Sequence, residues 1–130
     1  AALKWLAQAF GLKEFGKRFA GPSGKTNHAA MKLNDGVVMM GWPGPEYKSP
    51  SRLGQATQCL HVIVKDVDVL FERAKKAGAK IIHPPEDKFY GLRQFGAADP
   101  EGHQWYFAQP IKKKRNKYPK ASRPKVRKTR

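Results

Sequence analysis

Leu3, Leu6, Ala7 and Phe10 recur at the spacing of one helix face, and Gly11 follows where a left-handed residue ends a helix. The pattern predicts an amphipathic helix over residues 1–10. Glu14 to Ala20 reads as a strand, closed by the turn Gly21-Pro22-Ser23-Gly24. From Thr26 to Leu33, Asn27, Ala29, Met31 and Leu33 alternate against His28, Ala30 and Lys32, the period of a strand. Asn34-Asp35-Gly36 turns the chain tightly into Val37–Met40, completing a three-strand meander. Gly41 to Gly54 is rich in Pro, Gly and Ser and reads as a connecting loop. The second half repeats the order: a strand over Thr57–Val64, then Asp66 as the N-cap of a helix carrying the stripe Val67, Leu70, Phe71, Ala74 and Ala77, stopped by Gly78. Three further strands follow, Lys80–His83, Tyr90–Gly96 and Gln104–Gln109, separated by Pro84-Pro85 and by Asp99-Pro100-Glu101-Gly102. The two halves are α-β-β-β and β-α-β-β-β, an internal duplication in which the first copy lacks its opening strand.

Composition adds a second layer. The chain has 130 residues and a formal charge of +16, enough length for one domain with a hydrophobic core. The apolar runs Val37–Met40 and Leu60–Val64 are too short to cross a bilayer. One cysteine, Cys59, excludes an internal disulfide and a multi-thiolate zinc site, and points to an intracellular setting. The charge is uneven: Ile111–Arg130 holds eleven Lys or Arg and no acid, while residues 1–110 carry about +5. A segment so poor in apolar side chains cannot offset the entropy of ordering by burial. It suits a polyanion, because each cation meeting a phosphate releases a counterion. The division expected is a domain over 1–110 (first module 1–42, linker 43–56, second module 57–110) and a basic extended tail over 111–130.

The segments WLAQAFGLKE, DGVVMMG, VKDVDVLFERAKKAGAKI and PPEDKFYGLRQFGAADPEGHQWYF resemble the vicinal oxygen chelate superfamily, in its glyoxalase/bleomycin-resistance branch. The resemblance covers Ala1 to Gln109. It implies an α+β fold: two βαβββ modules forming a cupped, incomplete barrel around a pocket. Members usually carry a strand before the first helix, so an upstream segment or another chain is expected to supply one here. The resemblance also implies where a catalytic divalent ion would be held, and this chain is poor in ligands there. Met39 or Met40 stands at one position, Cys59 with His61 two residues on at another, and Tyr106 where a carboxylate belongs. Thioether and phenol are poor partners for hard divalent ions. The expectation is therefore no catalysis, no metal and no cofactor, with Met39, Cys59, His61, Arg93 and Tyr106 marking a vestigial pocket. Strand parity puts Cys59, His61 and Ile63 on one face with Gln104, Tyr106 and Ala108.

Other motifs fail on spacing. Gly24-Lys25-Thr26 ends like a phosphate-binding loop, but Phe19 occupies the position of its first glycine. His28, His83 and His103 are isolated in sequence, and His103 belongs to a turn. Cys59 and His61, two apart on a strand, stand about 6–7 Å apart, too far for a direct nucleophile–base hydrogen bond. Trp105 and Phe107 read as core, whereas Trp42 and Tyr118 are the better stacking surfaces for bases.

The tail decides the functional expectation. Lys112, Lys113, Lys114, Arg115, Lys117, Tyr118, Lys120, Arg123, Lys125, Arg127, Lys128 and Arg130 would track RNA phosphates, making the chain a non-catalytic component of a ribonucleoprotein. The partners expected are ribosomal RNA and neighbouring proteins, and the address a mitochondrion or another organelle, otherwise the cytoplasm. The alternative is a metal-free small-molecule binder of the resistance type. A metal-dependent lyase or dioxygenase comes third. Because the domain is positive without its tail, capture of a cationic drug is disfavoured, which weakens this alternative but leaves an anionic ligand open.

Overall fold

The computed structural model describes residues 1–111; residues 112–130, and with them every tail position named above, lie outside the described residues. Helix α1 (Ala2–Phe10) leads into strands β1 (Lys13–Ala20), β2 (Thr26–Leu33) and β3 (Gly36–Gly41), a three-stranded antiparallel sheet in that order. After a short helix α2 (Pro50–Leu53) come β4 (Cys59–Ile63), helix α3 (Val67–Lys76), β5 (Lys80–Asp87), β6 (Leu92–Ala98) and β7 (Gln104–Pro110). Their sheet has the order β4-β7-β6-β5, with β4 parallel to β7 and the other pairs antiparallel. The architecture is α+β with two open sheets.

Two local readings change. The stretch read as loop holds α2, which Ser49 precedes and Pro50 opens; proline suits a first turn whose N–H has no partner within the helix. Pro84-Pro85 do not end β5, which runs through them to Asp87 with irregular register. They fit because β5 is the sheet's outer strand, where a missing N–H costs no ladder bond.

Both helices share one core. Leu6, Ala9 and Phe10 of α1 meet Val67, Leu70 and Ala74 of α3 over Met31, Phe95, Trp105 and Phe107. Phe10 is fully buried, its ring 5.4 Å from Trp105 and 4.8 Å from Phe107, with Trp5 edge-on at 5.0 Å. The end of α1 is tied to α3 as well. Gly11 takes φ 73° and donates to the Ala7 carbonyl, while Arg73 donates to the carbonyls of Ala7 and Gln8, each at 2.9 Å. A cation is favoured at the negative end of a helix. Helix α3 begins as read from sequence, with Asp66 Oδ1 accepting from the Val69 N–H; Gln109 of β7 accepts from the Val67 N–H.

The edge strands β3 and β4 border a seam between the two sheets. Trp42 N–H bonds to the Asn27 carbonyl, so by the alternation of an antiparallel ladder Val37, Met39 and Gly41 turn their main-chain groups away from β2. Val64 N–H bonds to the Ala108 carbonyl, so Cys59, His61 and Ile63 turn theirs away from β7. Among the described residues no strand pairs with either edge.

Phe10→Ala is expected to lower stability by about 3–5 kcal/mol in urea unfolding, since it empties the centre of the shared core. In hydrogen exchange, the amides of Val37, Met39 and Gly41 should exchange with solvent well before those of Val38 and Met40.

Candidate ligand-binding face

Helices cover one face of the second sheet and leave the other free. On β4 and β7 the odd–even alternation sends Leu60, Val62, Trp105 and Phe107 into the core, and Cys59, His61, Ile63, Gln104 and Tyr106 to the free face. The paired positions there form a row across all four strands: His61 opposite Tyr106, Tyr106 opposite Gly96, Gly96 opposite His83. The His61 and Tyr106 rings lie within 17° of parallel with centroids 5.1 Å apart; the His83 and Tyr106 centroids are 5.8 Å apart at 31°. Gly96 makes this possible. A Cβ there would stand 2.7 Å from Tyr106 Cε1 and 3.3 Å from His83 Cδ2, so the two rings meet over the space its missing side chain leaves.

The register of that row is fixed at the Asp99 turn. Asp99 Oδ1 accepts from the N–H groups of Glu101 and His103, and Oδ2 from Trp105 Nε1, each at 3.0 Å. These bonds set Ala98 against Gln104 and hence Gly96 against Tyr106. His103 serves here through its backbone, as the turn reading expected. The row is flanked on one side by Cys59, Gln104 and Ala98, with Lys80 at the edge, and on the other by Ile63, Ala108 and Gln94, with Glu86 at the edge. Tyr106 Oη donates to Gln104 Oε1 at 3.3 Å, and buried Gln94 accepts from Tyr90 Oη at 3.1 Å. Glu86 is paired with Lys88 at 2.7 Å, whose hydrogen bond holds its carboxyl below the usual range.

Of the pocket positions named from sequence, Cys59, His61 and Tyr106 come together on this face. Met39 lies on the first sheet, 72% exposed, in a row with Ala30 and Phe15. Met40 packs against the core instead. Arg93 does not join the face. It has the parity of Phe95 and Ala97, and its guanidinium is held by Asp68 of α3 and by Asp87, both at 3.0 Å. Those hydrogen bonds, Asp68 first, raise its pKa further above the ordinary arginine range. Sequence reasoning missed Gly96 and His83. Counting back from the Asp99 turn pairs Gly96 with Tyr106, but the irregular pairing around Pro84-Pro85 hides His83 from any such count. Trp42 is exposed, and Trp105 and Phe107 are buried, as their spacing implied; Tyr118 lies outside the described residues.

Two cavities lie beside this face rather than on it. One of about 570 Å³ occupies the seam between Leu33–Val38 and β4, over Leu12 and Trp105, and touches the row only at His61. Another, of about 470 Å³, lies by the first turn of α1 with His28, Arg18 and Trp42.

The donors on the row do not fit a hard divalent ion. His61 and His83 are separated by the Tyr106 ring, and among the described residues no three His, Cys, Asp or Glu side chains converge.

The sequence model of the Glyoxalase/Bleomycin resistance protein/Dioxygenase superfamily matches residues 1–107. The chain belongs to that superfamily. An uncharacterized protein of Mycobacterium bovis is 37% identical over 117 residues, 86% of this chain and 76% of that protein. A counterpart in Mycobacterium tuberculosis has the same identity, with 68% of its length covered. Among solved structures, TioX from Micromonospora sp. ML1 is 35% identical with a TM-score of 0.64, covering 85% of this chain and 86% of TioX. A glyoxalase-related enzyme from Fulvimarina pelagi, 20% identical with a TM-score of 0.57 over 83% of this chain and 77% of its own, shares the fold.

These findings overturn the ribonucleoprotein reading. The relatives are bacterial and the family is that of the glyoxalases and bleomycin-resistance proteins, which conflicts with a ribosomal, RNA-binding or mitochondrial assignment and favours the small-molecule alternative. The tail's composition argued for phosphate in general; a charge count carries no information about fold or family. Among the described residues no helix is long and apolar enough to cross a membrane.

Asp99→Ala should cost about 2–4 kcal/mol, measured by urea unfolding, because it removes three bonds to a charged acceptor and leaves the buried Trp105 Nε1 unpaired. Gly96→Ala is expected to keep the fold but displace the Tyr106 ring, read as loss of the cross-relaxation between Tyr106 and His83 ring protons.

Proposed function

We propose that this chain binds a small organic molecule on the free face of its second sheet, without a metal and without catalysing a reaction. The observation that carries the reading is the row of His61, Tyr106 and His83 over Gly96, three rings on one continuous surface. Ligand sites are mostly apolar and aromatic, with a few placed polar groups that fix orientation. The row has that character: rings in the middle, the Gln104 carboxamide beside them, and Glu86, paired with Lys88, at the sheet's edge. Membership of a superfamily whose description includes bleomycin-resistance proteins favours the same class of role. Positions that the family resemblance gives to metal ligands hold Met39 or Met40, Cys59 with His61 two residues on, and Tyr106, a set poor in ligands for a hard divalent ion, which supports binding without Lewis-acid chemistry.

A fragment screen on isotope-labelled protein with EDTA present tests this. Binders should shift the resonances of His61, Tyr106, His83 and Gly96, and adding Mg²⁺, Mn²⁺ or Zn²⁺ should leave their affinities unchanged. Hits confined to other surfaces, or binding that requires one of those ions, would overturn it.

A further inference from the structure

We infer that the seam between β3 and β4 is the seat for an extended peptide strand from outside residues 1–130, paired with β3 through main-chain hydrogen bonds. Each bordering strand ends its own sheet. Val37, Met39 and Gly41 turn their N–H and C=O groups away from β2, and Cys59, His61 and Ile63 turn theirs away from β7. A cavity of about 570 Å³ lies between the two. Exposed strand edges are ordinarily blunted by charge or proline, and the outermost strands here follow that rule. β1 carries Lys13, Glu14, Lys17 and Arg18; β5 carries Lys80, Pro84, Pro85, Glu86 and Asp87. β3 reads GVVMMG and β4 reads CLHVI, with no proline, lysine, arginine or carboxylate in either. Those are sequences of strands with a neighbour on both sides.

The internal repeat supplies the direction. α1, β1, β2 and β3 follow one another as α3, β5, β6 and β7 do, and each set of strands pairs in chain order. β7 has β4 alongside, paired in parallel from Cys59 opposite Gln104 to Ile63 opposite Ala108. The matching place beside β3 is the seam, so its occupant runs parallel to β3 over a similar length. The floor of the seat selects side chains. Leu12 and Trp105 are buried beneath it, and Leu33, Val38, Leu60 and Val62 pack on the core at its sides. Occupant residues facing them are apolar, because a polar group there would lose water and gain no partner. The alternate residues point outward beside exposed Met39 and Ile63, where threonine or serine is tolerated. Among the described residues every strand already has its place in a sheet, and Ile111–Arg130, with eleven Lys or Arg, has no run of alternating aliphatic residues. The occupant is therefore a peptide from elsewhere, held by its backbone and selected by alternate aliphatic side chains.

The test uses the full chain, isotope-labelled, at near-physiological salt, with acetyl-Ser-Val-Thr-Val-Thr-Val-Ser-amide as the probe. Millimolar peptide should slow amide exchange at Val37 and Met39 at least tenfold, with no such change on β5. The same peptide with proline in place of its central valine should bind at least tenfold more weakly. Met39→Pro removes an outward N–H without breaking a bond to β2, so it should keep the far-UV spectrum and lose the slowing at Val37. No slowing at Val37 and Met39, or equal binding by the proline peptide, would overturn the inference. Protection that rises with protein concentration alone would give the seam to a second copy and overturn a separate partner. Shifts confined to His61, Tyr106 and His83 would put the peptide on the ring row, overturning the seat while leaving the binding face.

Discussion

The fold hangs on the burial of Phe10. One ring from the first helix stands against Trp105 and Phe107 of the second sheet, so the two halves of the chain cannot form separate cores. Arg73 reinforces the arrangement from the other helix, giving charged donors to the Gln8 carbonyl and, alongside the Gly11 N–H, to that of Ala7. The placement of every other element follows. With both helices on one side, the opposite faces of the sheets have no internal partner, and the residues that alternate outward from the core are presented together.

What those faces present depends on a chain of small constraints rather than on a motif. Asp99 gathers three N–H groups and so fixes how far β6 and β7 are offset. That offset puts Gly96 beside Tyr106, and the absent side chain lets the phenol lean toward His83. The same turn satisfies the indole N–H of Trp105, a core residue, so the turn that sets the register of the free face also completes the buried one. Arg93 shows the opposite outcome of parity: one residue away from the face, it spends its guanidinium on Asp68 and Asp87 and holds α3 and β5 to the sheet.

Charge misled where pattern did not. Eleven cations in twenty residues describe a segment's affinity for any polyanion, and that property is independent of what the folded part recognises. The family and the bacterial relatives were established by residues 1–107, through hydrophobic spacing, caps and turns.

The sequence by itself determined most of the elements, though not α2, and with them the core and the family. Helical spacing ending at Gly11, the cap at Asp66, the tight turn at Asn34-Asp35-Gly36 and the alternation of Trp105 and Phe107 are local signals, because turn geometry and burial period act over a few residues. It also placed Cys59, His61 and Tyr106 on one side of their strands. Only the tertiary structure brought in His83 and Gly96, moved Arg93 to the helix side and ran β5 through two prolines. Those outcomes depend on which strand is outermost and on how each is offset from its neighbour. Offsets are set by contacts between residues far apart in the chain, which no local period encodes.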